Sequence, residues 1–321
     1  MRNRDAVYAT AAALGGLAGA LIATRVARAF QRDQRIALAQ LMARSDVLET
    51  ARGPVEWAAS GQGPAVLVIH GGGGGYDQGL HCAAPLGEAG VRFIAPSRFG
   101  YLRSPLPPNA TPEAQADALA ALLDSLGLER AGVLAFSAGG MTAVNFALRH
   151  PRRCWGLILA SAITHAHVPA SGGMQGLGEA LLGNDFFTWA LGHWPKAILA
   201  GTGTTEADLE RLGDDEAARR GLFSVASFPL ASRRRDGLIN DLVQAEVLPD
   251  YPLANVAAPT LLIHGTHDPF IPFEFAAQAA ATIPGAQLLT LEGAGHLGWF
   301  THAAQTRPAA LAFLAAHAPH P

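Results

Sequence analysis

The sequence predicts an α/β fold: a mostly parallel central sheet with helices on both faces and a helical insertion. Three observations carry that prediction. Short apolar runs of strand length alternate with helical patterns along most of the chain, the rhythm of right-handed crossovers and a sheet buried on both faces. Chemically distinctive residues recur just past the C-terminal ends of those runs, where open parallel sheets place their sites. One long stretch, residues 168–251, breaks the rhythm. With 321 residues, half of them hydrophobic, the chain is long enough to bury one large α/β core with an insertion.

The N-terminal segment comes first. From Val7 to Thr24 there is no charge, with Arg2 and Arg4 before it and Arg25 and Arg28 after it. That length sits at the lower limit for crossing a bilayer, and Ala and Gly dominate, with only Val7, Leu14, Leu17, Leu21 and Ile22 strongly apolar. The expectation is membrane association through residues 7–24. A signal peptide cleaved at Ala27-Arg28-Ala29 and a soluble Ala-rich helix are the alternatives, and positive charge on both flanks leaves the orientation open. Gln31 to Arg44 reads as an amphipathic linker helix, with Ile36, Leu38, Leu41 and Met42 set against Arg32, Arg35 and Gln40.

A hairpin follows, Val47–Ala51 and Val55–Ala59 around the turn Arg52-Gly53-Pro54. Ala65–His70 is a buried-strand run that ends in the glycine loop Gly71–Gly75, and Val91–Ala95 is the next strand. Thr111–Leu126 is a helix, with Pro112 in its first turn and Gly127 as its stop. Gly132–Phe136 is a strand followed at once by a helix over Gly139–Arg149, and Trp155–Ala160 is another strand. Thr260–His264 and Gln287–Leu291 are the last two strands, and Ala303–Ala316 is the closing helix. Between them, residues 168–251 are rich in aromatics (Phe186, Phe187, Trp189, Trp194, Phe223, Phe228) and read as helical pieces broken by Gly and Pro, a cap over the sheet. The resulting division is 1–45 for the hydrophobic segment and linker, 46–167 with 252–321 for the core, and 168–251 for the cap.

Composition excludes several functions. A net charge of −3 with dispersed basic residues gives no case for nucleic acid; the run Arg233-Arg234-Arg235 reads as a solvated face. Cys82 and Cys154 are the only cysteines, with neither metal spacing nor a disulfide framework. His165, His167, His193 and His267 lack metal-ligand spacing, Cys82 beside His81 reads as structural near the start of a helix, and His70 reads as a brace for the glycine loop.

The chemistry centres on Ala135-Phe136-Ser137-Ala138-Gly139-Gly140, between a strand and a helix. A serine on a tight strand-to-helix turn projects its hydroxyl above the sheet edge, with small residues two before and two after where other backbone passes close. Alone, this segment also fits a plain helix cap. A hydroxyl needs a base, and the base needs an orienting group. Asp268, in His264-Gly265-Thr266-His267-Asp268-Pro269, and His296, in Gly293-Ala294-Gly295-His296-Leu297, follow in that order, each just past its own strand. The loop His70-Gly71-Gly72-Gly73-Gly74-Gly75 lets backbone approach an oxyanion, with the N–H groups of Gly72 and Ala138 as donors. It lacks the Lys-Ser/Thr of a P-loop and the context of a dinucleotide-binding turn.

Together the His-Gly loop, the serine turn, Asp268 and His296 resemble the α/β-hydrolase superfamily, a capped member with a serine nucleophile, over residues 47–316. Pro96 to Ser104 resembles that family's P-x-x-x-G-x-G-x-S loop, with Leu102 where Gly is common. The resemblance implies the α/β-hydrolase fold and a Ser137–His296–Asp268 triad needing neither metal nor organic cofactor. It implies hydrolysis of an ester, lactone or related carbonyl compound through an acyl-enzyme. The polyglycine loop is similar to that of hydrolases that cut carbon–carbon bonds in meta-cleavage products, which usually carry Trp where Leu297 stands. A carbon–carbon hydrolase, or a non-catalytic member binding a small ligand, are therefore the alternatives. Epoxide hydrolases and haloalkane dehalogenases are disfavoured because that branch has an aspartate in place of Ser137. The aromatic and aliphatic cap, with no acidic cluster, points to an apolar small-molecule substrate.

Overall fold

In the computed structural model the apolar runs are strands of one eight-stranded sheet. The structure describes residues 2–166, 184–225 and 229–319, with side chains from residue 18 onward. The strands are β1 (Asp46–Thr50), β2 (Gly53–Gly61), β3 (Ala65–Ile69), β4 (Arg92–Pro96), β5 (Ala131–Phe136), β6 (Cys154–Ala160), β7 (Thr260–Gly265) and β8 (Gln287–Leu291). Their spatial order is β1-β2-β4-β3-β5-β6-β7-β8. The hairpin β1–β2 and its pairing with β4 are antiparallel, and every pairing from β4 to β8 is parallel.

Burial explains why the central strands show unbroken apolar runs. All residues of β3, β5, β6 and β7 are buried, as a parallel sheet covered on both faces requires. One face packs against helices Pro112–Ser125, Gly139–Arg149 and Phe273–Thr282 through Leu119, Ala143, Phe146 and Ala276. Helices Tyr76–Ala83 and Ala303–His317 cover the other face; a Cβ at Gly79 would meet Ala95, and one at Gly156 would meet Phe313. Each fully buried Leu, Ile or Phe of this core contributes about 1.5–3 kcal/mol.

Between β6 and β7 the chain leaves the sheet and forms five α-helices among the described residues: Asp185–Leu191, Pro195–Gly201, Glu206–Arg211, Glu216–Val225 and Arg235–Glu246. Thr205 and Asp208 close the third with a reciprocal capping box. Residues 168–183 of the expected cap, together with His167 and Phe228, lie outside the described residues. The last of these helices docks on the loop after β4. Gly237 N–H donates to the Gly100 carbonyl at 3.0 Å and Leu102 N–H to the Arg233 carbonyl at 2.7 Å. A Cβ at Gly237 would lie 2.2 Å from the Tyr101 ring, so only glycine permits this contact.

The N-terminal segment differs from the reading of two pieces. A single helix runs over Arg2–Ala43, because residues 25–43 are rich in Ala, Leu, Arg and Gln and contain no Gly or Pro to stop it. It forms one unit, and residues 44–321 form another. Among the described residues no helix is long and apolar enough to cross a membrane.

Candidate active site

Ser137 occupies a turn between β5 and the helix Gly139–Arg149, and that turn dictates its backbone. Its φ is 48°, left-handed and sparsely populated for a residue with a Cβ, at a strain of about 1–3 kcal/mol. Neighbouring backbone holds it there. Ser137 N–H donates to the Ala160 carbonyl at 3.2 Å, while its own carbonyl accepts from Gly140 at 2.9 Å and Ile163 at 3.0 Å. The expectation that a small residue must follow two positions later has a physical cause: a Cβ at Gly139 would stand 2.6 Å from the Ile69 carbonyl oxygen.

Asp268 lies just past β7, with its side chain sealed from solvent. Oδ1 accepts from the Phe270 and Ile271 N–H groups at 2.9 and 3.0 Å. Oδ2 stands 2.8 Å from His296 Nδ1 and 3.3 Å from His264 Nε2. Burial alone would raise the carboxyl. The His296 charge, hydrogen bonds from His264 and His296, and the Ile271 N–H outweigh it and hold the carboxyl far below the usual carboxylate range. The carboxylate can only accept, so His296 Nδ1–H donates to it and the Nε2 edge of the ring is turned to the other side. His296 N–H is bonded to the Thr202 carbonyl at 2.9 Å, and the Phe270 ring meets the imidazole edge-on at 5.1 Å.

Ser137, Asp268 and His296 line one cavity of about 570 Å³. No hydrogen bond joins the Ser137 hydroxyl to His296 among the described residues, a spacing common in unliganded sites that tightens around substrate.

Of the glycine-loop N–H groups without a partner among the described residues, those of Gly72 and Gly75, only Gly72 belongs to a residue of the cavity wall. The Gly71 N–H is taken by Gln78 Oε1 at 2.9 Å, that of Gly73 by the Tyr101 hydroxyl at 3.3 Å and that of Gly74 by the Gly71 carbonyl at 3.3 Å. Among the described residues, Gly72 N–H has no partner, and neither has Ala138 N–H; both residues line the cavity beside Ser137. His70 braces this loop. Its Nδ1–H donates to the Gly71 carbonyl at 2.8 Å and its Nε2 accepts from Arg98 N–H at 3.0 Å. Burial, with the Arg98 charge behind it, pushes the His70 pKa well below the ordinary histidine value, so the ring stays neutral.

Several residues that the sequence does not mark as functional hold the site. Arg98 donates to the His70 and Gly71 carbonyls at 2.9 and 3.1 Å and forms a two-pronged ion pair with Asp241 of the insertion at 2.5 and 2.6 Å. Tyr101 donates its hydroxyl to Asp241 Oδ2 at 2.5 Å. Arg234 bonds the Gly74 carbonyl at 2.7 Å and pairs with Asp77, so it is buried rather than on the solvated face expected of the Arg233–Arg235 run. Leu102, where glycine is common, has a φ of 54° and keeps the left-handed backbone that glycine would adopt.

The cavity wall is mostly apolar, with Ile198, Leu238, Leu242, Phe270, Trp299 and Phe300 among its residues. Cys82 also lines it, at the end of helix Tyr76–Ala83 rather than near the start of one, and burial raises its thiol above the usual range. His165, His193 and His267 are not part of the wall, His167 lies outside the described residues, and no cluster suited to a metal ion occurs among the described residues.

Comparison with known proteins agrees with this architecture. A family model described as the alpha/beta hydrolase fold matches residues 64–303. An alpha/beta hydrolase fold protein from Nakamurella multipartita is 33% identical, with 84% of this chain and 98% of that chain covered and a TM-score of 0.75. The uncharacterized hydrolase YcgS of Bacillus subtilis is 29% identical over 82% of this chain and 95% of its own length. A 2-hydroxy-6-oxononadienedioate/2-hydroxy-6-oxononatrienedioate hydrolase of Comamonas testosteroni is 26% identical over 80% of this chain and 89% of its own. With the matched sequence spanning most of the sheet, this chain belongs to the α/β-hydrolase family.

Proposed function

We propose that the protein is a serine hydrolase of neutral, largely apolar esters, lactones or related carbonyl compounds. In this mechanism His296 Nε2 takes the Ser137 proton as Oγ attacks the substrate carbonyl. The N–H groups of Gly72 and Ala138 hold the oxyanion, and His296 returns the proton to the leaving group. A water activated by His296 then hydrolyses the acyl-Ser137 ester, while Asp268 fixes the imidazole tautomer and stabilises its cation. The observation that carries the reading is the convergence of three features in one cavity: a strained serine, an imidazole backed by a sealed carboxylate, and two backbone N–H donors without partners among the described residues. Oriented donors of this kind are the largest single contribution to many acyl transfers.

The cavity wall favours a neutral carbonyl substrate over the carbon–carbon cleavage suggested by the dienedioate hydrolases. Those relatives, by their names, act on dicarboxylates. Among the described residues no Lys or Arg lines this cavity, and the nearby Arg98 and Arg234 are committed to Asp241 and Asp77. A carboxylate entering such a wall would lose its hydration without gaining a partner. The test is a panel of p-nitrophenyl esters, neutral lactones and dienedioates, run with the unsubstituted protein and Ser137→Ala. Turnover of neutral substrates that Ser137→Ala abolishes is expected. Preference for the dicarboxylates, or full turnover by Ser137→Ala, would contradict the reading.

A further inference from the structure

Gln78 stands in the first helix after the glycine loop, almost wholly buried, and lines the cavity. Its carboxamide is clamped. Oε1 accepts the Gly71 N–H at 2.9 Å, and a Cβ at Gly74 would fall 2.4 Å from that same oxygen, so the loop folds around the amide group. Because Oε1 faces an N–H, the amide orientation is determined and the NH2 edge must point the other way. Among the described residues that edge has no hydrogen-bond partner and is not a buried unsatisfied atom, and Gln78 is one of the residues that line the cavity.

We propose that Gln78 is a positioning residue for the oxyanion site: Oε1 withdraws the Gly71 N–H, leaving Gly72 as the donor, and the NH2 edge turns a positive dipole toward the reacting carbonyl. The inference rests on the serine-hydrolase reading above. The physical requirement is that the donors be aimed before reaction begins, since a misplacement of about 1 Å lowers rate on the order of 10²-fold. Freed from Oε1, Gly71 N–H would be a buried orphan, and the loop would keep only the hold of His70, Arg98 and Arg234 on its carbonyls and of Tyr101 on Gly73 N–H. Gly72 N–H would then lose its fixed aim.

Two substitutions test this, both read with a p-nitrophenyl ester and with the rate of fluorophosphonate labelling at Ser137. Gln78→Leu is expected to lower kcat by roughly 10- to 100-fold while KM stays within about threefold, because an interaction made mainly in the transition state is lost. Gln78→Glu keeps an acceptor for Gly71 but puts negative charge beside the oxyanion. Its kcat, divided by that of the unsubstituted protein at the same pH, is expected to rise roughly tenfold between about pH 8 and pH 5.5 as the new carboxyl gains a proton and imitates the amide. A purely structural glutamine would give a ratio that does not change with pH. If Gln78→Leu fails to fold, as judged by its thermal melt, the Gln78→Glu profile decides alone. A pH-independent ratio with normal labelling would overturn the role of Gln78 and leave the triad standing. Absence of labelling in the unsubstituted protein would instead remove the triad on which it rests.

Discussion

Asp268 concentrates the electrostatics of the site in one carboxylate that accepts four contacts and is sealed from bulk solvent. Exchange to Asn keeps the shape but removes the charge and offers an N–H where His296 Nδ1–H needs an acceptor. The imidazole is then pushed toward the wrong tautomer, and kcat is expected to fall by about 10³–10⁴-fold with the fold intact. A kcat within tenfold of normal would count against the triad. The same residue ties stability to pH. Its pKa is depressed in the folded protein, so its contribution is complete above the unfolded value near 3.9 and is lost as pH falls below it toward the folded one. Thermal melts between about pH 5 and pH 2 should therefore show a shallower acid loss for Asp268→Asn than for the unsubstituted protein. That Ser137, Asp268, His296, Gly72 and Ala138 would meet at one cavity is legible in the sequence, because each follows a strand run within a few residues. The roles of Gln78, Arg98, Asp241 and His264 are not. Arg98 meets Asp241 across 143 residues of sequence, and no local pattern encodes such a pair.

At the scale of elements, legibility follows burial. Strands β3, β5, β6 and β7 announce themselves because both faces are covered and, His264 apart, every position is apolar or small. Helix Tyr76–Ala83 is short and contains Gly79 and a buried Gln78, so it carries neither length nor clean periodicity. Helix Phe273–Thr282 buries only Ala276 and Ala279, a weak stripe in an Ala-rich run. The helix Arg235–Glu246 is amphipathic only in the context of its target, the loop after β4. Its Asp241 and Arg98 leave 7% and 4% of their side chains exposed, so the pair is desolvated and bonded on both sides. Asp241→Ala would leave the Arg98 guanidinium buried without its counter-charge, a loss of about 3–5 kcal/mol in unfolding free energy. Replacing both, as Arg98→Met with Asp241→Leu, should recover much of it. If urea melts show the single substitution within about 0.5 kcal/mol of the parent, the ion pair is not what anchors the insertion.

Across the whole molecule, residues 1–43 and 44–321 form two units, and all the residues of the candidate site belong to the second. A chain beginning at Arg44 is expected to keep the esterase kcat/KM of the full chain. We propose that the N-terminal helix instead attaches the hydrolase to a membrane surface. Arg25, Arg28, Arg32 and Arg35 support this; at 100° per residue they fall on one side of the helix, where they would meet anionic headgroups. Fractionation of both chains checks it: full-length protein in the membrane fraction and the truncated chain released is the expected pattern, and full-length protein free of membranes with its N-terminus intact would refute it.

Every proposed step depends on a serine hydroxyl made nucleophilic by its surroundings. The most direct measurement is peptide mass spectrometry after exposure of the folded full-length protein to a fluorophosphonate probe, with Asp268→Asn and Ser137→Ala treated alongside. One adduct is expected, on Ser137, forming much more slowly in Asp268→Asn and absent in Ser137→Ala. An unmodified Ser137 in folded protein, or an adduct on another residue that persists in Ser137→Ala, would contradict it.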